Sequence, residues 1–478
     1  MVTEALDIVG VRALLKTLVP ALQAKRKLLK PVVEQLRAES KVYTPKGQTR
    51  EHRYLESLTH TPWGSKVATT FAQEMSVSGY LAPTSEPGDN DPAWALWSKA
   101  RMPLVEDILI REAFQYGESF AVALSTDRPN SAIAKPLPPY HTVAVYEDSV
   151  VDVWPIAVLT TVADRKTVSS PKGTLYAGEW VYNLSFPDGL DATTAEIGTA
   201  WKHKSSETPV VRFLNEIDSL GNTVGKIAPL LPLLERIRKD TYDRVLIQHK
   251  ASWKVRTIAG LEAPTDDASA ADLQQEKLRL SVEDILVSSD PNTRFGTLDE
   301  SPLGDLITAK ESDIYEVCAI APIPPSAVMP GNVSNVSAEA IAELRNGFEN
   351  RVADHKEVLG EAFGWLIRAL AVQAGLMIDS DSEARIQWQD RSVRSLAQAA
   401  DAWGKGVTML GIPAEMTWNK IPGISQGEVQ QWMNYKKRQT GKDILSTIFQ
   451  KQTAQPAVPT PQPAQPQQPA QIPVVTVP

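Results

Sequence analysis

The stretch Pro302-Leu-Gly-Asp-Leu-Ile-Thr-Ala-Lys-Glu-Ser-Asp-Ile-Tyr-Glu-Val-Cys-Ala-Ile-Ala-Pro-Ile-Pro-Pro-Ser-Ala-Val-Met-Pro-Gly-Asn-Val-Ser-Asn-Val-Ser-Ala338, continuing to Gly375, decides the fold. It predicts a short helix, a proline-rich turn and then a very long helix. In the last part Ile341, Leu344, Phe348, Val352, His355, Leu359, Phe363, Leu366 and Leu370 recur at spacings of three or four. That period is sustained over about eight turns, with Ser337 in the N-cap position. Gly347, Gly360 and Gly364 interrupt the helix, so a bend is expected rather than a straight rod. Ahead of it, Pro322, Pro324 and Pro325 cannot all be helical, because each removes a donor and restricts its neighbour. The residues from Ser326 to Asn335 are small and uncharged, and are expected to project as a loop.

Working upstream, residues 226–251 predict a second long helix whose regular part starts near Pro229 and Pro232. It carries Arg236, Arg238, Lys239 and Arg244, whereas the helix before the proline turn carries Asp305, Glu311, Asp313 and Glu316. Between the two lies an inserted block, 252–301, with strand-like ends at Trp253–Ile258 and Arg294–Leu298 and a helical middle at Leu273–Ile285. Residues 6–40 have helical periodicity, interrupted at Pro20 and Pro31. Their cluster Lys25, Arg26, Lys27 and Lys30 is expected on a solvated face; the sharper reading is a basic arm gripping a partner. Trp94, Trp97, Leu104, Ile108, Ile110 and Phe114 are expected core residues of a further helix that ends at Gly117.

From Ser119 onward the texture turns to β. Ser119–Leu124, Thr142–Tyr146, Val151–Trp154, Ala157–Val162, Thr174–Leu184 and Pro209–Leu214 read as short strands of an antiparallel sheet. Ala384–Trp388 reads as a strand returning to that sheet, and 391–408, 412–420 and 425–438 as three shorter helices. The end of the chain, from Gln452, holds eight prolines and little that can form a core.

The chain is 478 residues long, with a formal charge of −8, which is a poor match to tight general binding of nucleic acid. Its one cysteine, Cys318, rules out a disulfide framework or a cysteine zinc site and fits manufacture in a cytoplasm. No signal-peptide layout or membrane-length apolar run is expected. The histidines His52, His60, His141, His203, His249 and His355 lack metal-ligand spacing, and His355 reads as a core position. Gly221-Asn-Thr-Val-Gly225-Lys226 is similar to a phosphate-binding loop, but it is one residue short and has Ile227 where Ser or Thr is required. No catalytic constellation emerges, and no cofactor is expected. Two other classes stay open: a DNA- or nucleotide-processing enzyme with an unrecognised site, and a structural or scaffold protein.

Three stretches carry a family resemblance: Ala113-Phe-Gln-Tyr-Gly-Glu-Ser-Phe120, Val333-Ser-Asn-Val-Ser-Ala-Glu-Ala-Ile341 and Phe363-Gly-Trp365. In their order around a helix, insertion, helix, loop and long helix, the chain resembles the portal proteins of tailed bacteriophages, particularly siphoviruses of actinobacteria. That resemblance implies an α+β, mainly helical fold with wing, stem, clip and crown around a long kinked helix. It implies an N-terminal arm at 1–40, a wing at 41–225 with 337–390, stem helices at 226–251 and 302–320, and a clip at 252–301. A tunnel loop would follow at 321–336 and a crown at 391–450, while the Pro/Gln-rich tail at 451–478, expected to be disordered from its composition, departs from the family pattern.

The implied function is a non-enzymatic, dodecameric ring at one capsid vertex of the virion, through which double-stranded DNA is packaged and ejected. The implied partners are further copies of the chain, the major capsid protein, a terminase and a head–tail adaptor, with no membrane. The implied site residues are Ser326, Val328, Met329, Asn332, Val333, Ser334 and Asn335 in the tunnel loop. Glu276, Arg279, Glu283 and Asp284 would dock partners at the clip, and the eight stem charges named above would lie at the subunit interface.

Overall fold

Helix α1 (Ile8–Leu36) starts where the Asp7 carboxylate accepts the Gly10 amide at 2.7 Å, an N-cap that satisfies one orphan donor. The computed structural model describes residues 6–37, 39, 50–81, 92–162, 171–251, 256–259, 294–297, 303–329, 338–376, 385–389 and most of 396–439. The helix runs unbroken through Pro20 and Pro31, contrary to the expected interruption. Both prolines lie on its exposed side, while Leu15, Leu18, Val19 and Leu22 bury the opposite stripe. Burial of that stripe outweighs two missing donors.

Lys25 and Arg26 are neither solvated nor reaching for a partner. Lys25 Nζ bonds Glu118 at 2.7 Å and the Thr142 carbonyl at 2.8 Å. Arg26 donates to Thr161 Oγ1 at 2.6 Å and to the Tyr140 carbonyl at 3.2 Å. Only Lys27 and Lys30 of that cluster face outward.

Two short helices follow, α2 (Arg50–Ser57) and α3 (Trp63–Gln73), then strand β1 (Val77–Leu81), α4 (Pro92–Lys99) and α5 (Met102–Tyr116). Trp97, Ile110 and Phe114 are buried as expected, but Leu104 is exposed. The β region holds two antiparallel sheets rather than one. Strands β2 (Glu118–Ser125), β3 (Ala132–Leu137) and β9 (Val210–Leu214) form a three-stranded sheet ordered β3-β2-β9. Strands β4 (Thr142–Val145), β5 (Ala157–Val162), β6 (Lys172–Ala177), β7 (Trp180–Ser185) and β8 (Glu196–Lys202) form a meander. The expected strand at Val151–Trp154 is a turn: Asp148 Oδ1 accepts the Val150 amide at 2.8 Å and Asp152 Oδ2 accepts the Asp148 amide at 2.8 Å.

Alternation along the strands sets the layers. In β5, Val158 faces Phe120 and Val122 of the other sheet, while Ala157 and Leu159 face α1. In β2, Ala121 and Ala123 face the opposite way, into the main core. That core is completed by α6 (Leu231–Ala251), α7 (Gly304–Ile320) and α9 (Ala338–Ala374), the long helix. A β-ribbon of β10 (Arg256–Ala259) and β11 (Arg294–Thr297) lies between α6 and α7 in sequence, and the turn of helix α8 (Pro325–Val328) precedes α9.

Phe363 on α9 is fully buried, 4.7 Å from Phe213 and 5.8 Å from Trp97 between ring centroids. Gly360 leaves room for Trp388, whose indole donates to the Lys356 carbonyl at 3.0 Å. Trp388 belongs to β12 (Arg385–Trp388), which pairs with β1 in a separate two-stranded sheet and not with the expected one. A second unit, from Ser395, contains α10 (Leu396–Leu410), α11 (Ala414–Thr417) and helical residues within 428–439.

Two backbones cross closely in the first unit. Gly117 ends α5 at φ +96, and its carbonyl accepts the Asn215 amide at 2.9 Å. Gly225 passes beside it, and a Cβ there would lie 2.6 Å from the Gln115 carbonyl oxygen. A Cβ on Gly117 would meet Gly225 and Val224 at 2.9 Å, whereas Gly189 at φ +87 faces open space. In urea unfolding, Gly189→Ala should cost about 1 kcal/mol for its backbone alone and Gly225→Ala about 2–3 kcal/mol for its clash. Gly117→Ala should exceed both, because it combines the two effects.

Candidate functional site

Helices α6 and α7 pack along a seam of Ile237, Ile314 and Val317, with charge placed on the same stripe. Arg236, Asp240 and Arg244 recur every fourth residue on α6, and Lys310 and Asp313 occupy the facing turns of α7. The Arg236 guanidinium grips Asp313 with both arms, Nε to Oδ2 at 2.8 Å and Nη2 to Oδ1 at 2.6 Å, and also bonds Glu316. A fork-to-carboxylate pair fixes orientation as well as distance.

Asp240 is held above the usual carboxylate range by burial and by the neighbouring Asp313. Burial, with Arg244 nearby, lowers the Lys310 ammonium. The two helices are thus tied together within one chain by charges that the sequence places on both. The clue was the four-residue spacing of Arg236, Asp240 and Arg244, which sign counting over the whole helix overlooks.

The other charges expected at the subunit interface are distributed differently. Arg238 is buried and bonds Thr59 Oγ1 at 3.4 Å, and Lys239 bonds Asp243 of its own helix at 2.5 Å. Asp305 is exposed in the first turn of α7, where an acid suits the helix dipole, and Glu311 is exposed farther along. Arg244 Nε has no hydrogen-bond partner among the described residues.

The turn after α7 is less open than expected. Ile323 is buried and its amide bonds the Cys318 carbonyl at 3.0 Å. Ser326 sits in the α8 turn, and Val328 and Met329 pack partly buried against the main core. A freely projecting segment therefore does not begin at Ser326. Asn332, Val333, Ser334 and Asn335 lie outside the described residues, as do Glu276, Arg279, Glu283 and Asp284.

Buried titratable groups elsewhere do not converge on a reaction centre. His355 lies edge-on to Phe114 at 5.1 Å and Phe71 at 5.8 Å, with its pKa lowered to about 4 by burial and then by Lys226. It is a core residue, as expected, although Nε2 has no partner among the described residues. The segment similar to a phosphate loop is packed into the backbone crossing, and Lys226 is engaged with Glu216 at 2.5 Å. Among the described residues no group of His, Cys, Asp and Glu is placed to hold a metal ion, and no helix is long and apolar enough to cross a membrane.

The model of a family described as phage portal protein, SPP1 Gp6-like, matches residues 16–442. A comparison with curated proteins gives no match. Among solved structures, a chain from the neck of an empty gene transfer agent particle, computed with C6 symmetry, shares 13% identity and a TM-score of 0.46. The match covers 78% of this chain and 96% of that one. A chain from the neck of the native particle, computed with C12 symmetry, shares 13% identity at a TM-score of 0.43, covering 80% and 97%. A chain from the virion of the native particle shares 14% at 0.44, covering 80% and 99%.

One buried acid should be visible in solution. Burial lifts the Glu112 carboxyl to about 7, and its Oε2 has no partner among the described residues. A raised acid favours the fold while protonated, so that contribution falls as pH rises from the unfolded value of about 4.5 through about 7. Glu112→Gln should match the parent near pH 4 and exceed it by about 3 kcal/mol at pH 8, measured by urea unfolding across that range.

Proposed function

Since the chain belongs to the SPP1 Gp6-like family of phage portal proteins, we propose that it forms a closed ring of about a dozen copies at one vertex of a phage capsid. The observation that carries this reading is a family match running from residue 16 to residue 442, across both sheets, the paired helices and the long helix. In this reading α6 and α7 are the stem, the β10–β11 ribbon belongs to the clip, and the sheets with α9 form the wing. The second unit is the crown. Double-stranded DNA passes through the bore during packaging and ejection.

An acidic subunit suits that task. A duplex must slide, and a strongly basic bore would hold it by many phosphate contacts. The fork between Arg236 and Asp313 supports a stem that is stiff within each subunit, which leaves the exposed Asp305 and Glu311 for a neighbour. Exposed pairs of that kind contribute only about a few tenths of a kcal/mol each. The protein is a structural part of the virion and has no catalysis of its own. ATP hydrolysis belongs to a separate terminase that docks on the clip through Glu276, Arg279, Glu283 and Asp284, and a head–tail adaptor takes that place afterwards. The major capsid protein surrounds the wing.

The test is direct. Negative-stain images of the purified chain should show rings with a central hole, and a monodisperse monomer at every concentration and salt would end the proposal. We place the gripping part of the tunnel loop after Met329. Replacing Asn332, Ser334 and Asn335 by lysine should leave the rings intact but stall packaging or ejection. Normal packaging by such rings would remove the loop from the bore.

A further inference from the structure

The five-stranded meander has two edges, and they are treated differently. At β4 the Lys25 ammonium donates to the Thr142 carbonyl at 2.8 Å, which blunts that edge with a charge. At β8 nothing comparable occurs. Six of its seven residues are exposed and Ile197 is half-buried, and among the described residues no backbone group bonds its outer side. The His203 amide donates to the Glu179 carbonyl at 3.1 Å, and Val181 pairs with Trp201 two residues on. By the alternation of an antiparallel ladder, Ala200 and Lys202 then turn their amides and carbonyls away from β7. Between Glu196 and Lys202 the strand carries no charge, and Trp201 is 39% exposed. A flat, uncharged edge of this kind is a template for another strand.

The chain contains a segment suited to it. After the uncharged residues 452–471, six of them proline, the sequence ends Ile472-Pro-Val-Val-Thr-Val-Pro478. Val474, Val475, Thr476 and Val477 are four consecutive β-branched residues, each with an amide to donate, bracketed by two prolines that cannot extend the ladder. The tail cannot build a core of its own, but a strand added to an existing edge needs none, since its backbone supplies the contacts. Either alternate pair of its side chains offers a valine to Trp201. The proline-rich linker spans roughly 60 Å when extended, against a radius of gyration of about 21 Å for a unit the size of the first.

We propose that the tip of the chain's own tail, residues 474–477, adds to β8 as a sixth strand of the meander. The inference goes beyond the ring reading and does not depend on it. It assigns the tail a role as an edge guard, which keeps the β8 of one copy from pairing with that of another before the subunits are correctly placed.

The test uses the full chain, with hydrogen exchange read by mass spectrometry over 196–203 and 472–477. In the parent, exchange should be slow in both segments. Val475→Pro/Thr476→Pro removes two adjacent tail donors and should speed exchange over 196–203 by about ten-fold, with melting unchanged. Ala200→Pro removes one outward amide of β8, where an edge strand tolerates proline, and should speed exchange over 472–477 likewise. Where Ala200→Pro lowers melting, the tail variant decides. Unprotected segments in the parent overturn the docking, as does a tail variant that leaves 196–203 unchanged. Thr199→Cys/Thr476→Cys treated with a short bismaleimide should give a link within single chains. Links formed only between chains also overturn it, and assign the edge to the tail of a neighbouring copy.

Discussion

Much of this structure depends on two peptide chains touching without side chains between them. Gly117 closes α5 and opens β2, and Gly225 carries the chain from β9 toward α6. At their crossing the Lys226 amide reaches the Phe114 carbonyl at 2.8 Å, and the Asn215 side chain reaches the Val224 carbonyl at 2.6 Å. A helix, two strands of one sheet and the chain leading into α6 are therefore fixed to a common point. Backbone contacts of this kind permit little adjustment, because neither partner has a rotamer to change. The lever formed by α6 and α7 is thus rooted in the sheets, and Arg236 with Asp313 stiffens it beyond that root.

Charge is used in two different ways in the same chain. Where it is buried it is matched closely: Lys25 with Glu118, Lys226 with Glu216, and Asp313 with Arg236. Unpaired charge inside the fold would be costly, so these contacts fix geometry more than they add stability. On the outside α1 is mostly basic, whereas α9 mixes Asp354, Glu357 and Glu361 with Arg351 and Arg368.

The long helix was legible because its apolar residues repeat without a break, and Leu359, Phe363, Leu366 and Leu370 are all buried. The short strands of the meander were legible from composition. What could not be read depends on distant partners. Strand β1 pairs with β12 more than 300 residues away, since Val77 faces Trp388. Strand β3 contains Pro136, which argues against a strand unless it lies at a sheet edge, and the order β3-β2-β9 puts it there. Lys25 and Arg26 looked like solvent-facing charge, yet Glu118, Thr142 and Thr161, far along the chain, make them interior anchors. Of the candidate site, sequence identified the charged helices but not that Arg236 and Asp313 would be consumed within the subunit.

The anchoring of α1 also fixes the order in which the subunit can mature. Its apolar stripe is covered by strands that end near Ser185, and the Leu6 amide is held by the Tyr182 hydroxyl, 176 residues later. At about 5–20 residues per second, a ribosome needs roughly ten to thirty seconds to deliver that cover. Throughout that interval α1 is an uncovered amphipathic segment, and contacts of such long sequence separation form slowly. Folding therefore leaves α1 waiting for its partners, and that interval is when a nascent chain is most exposed to pairing with another copy.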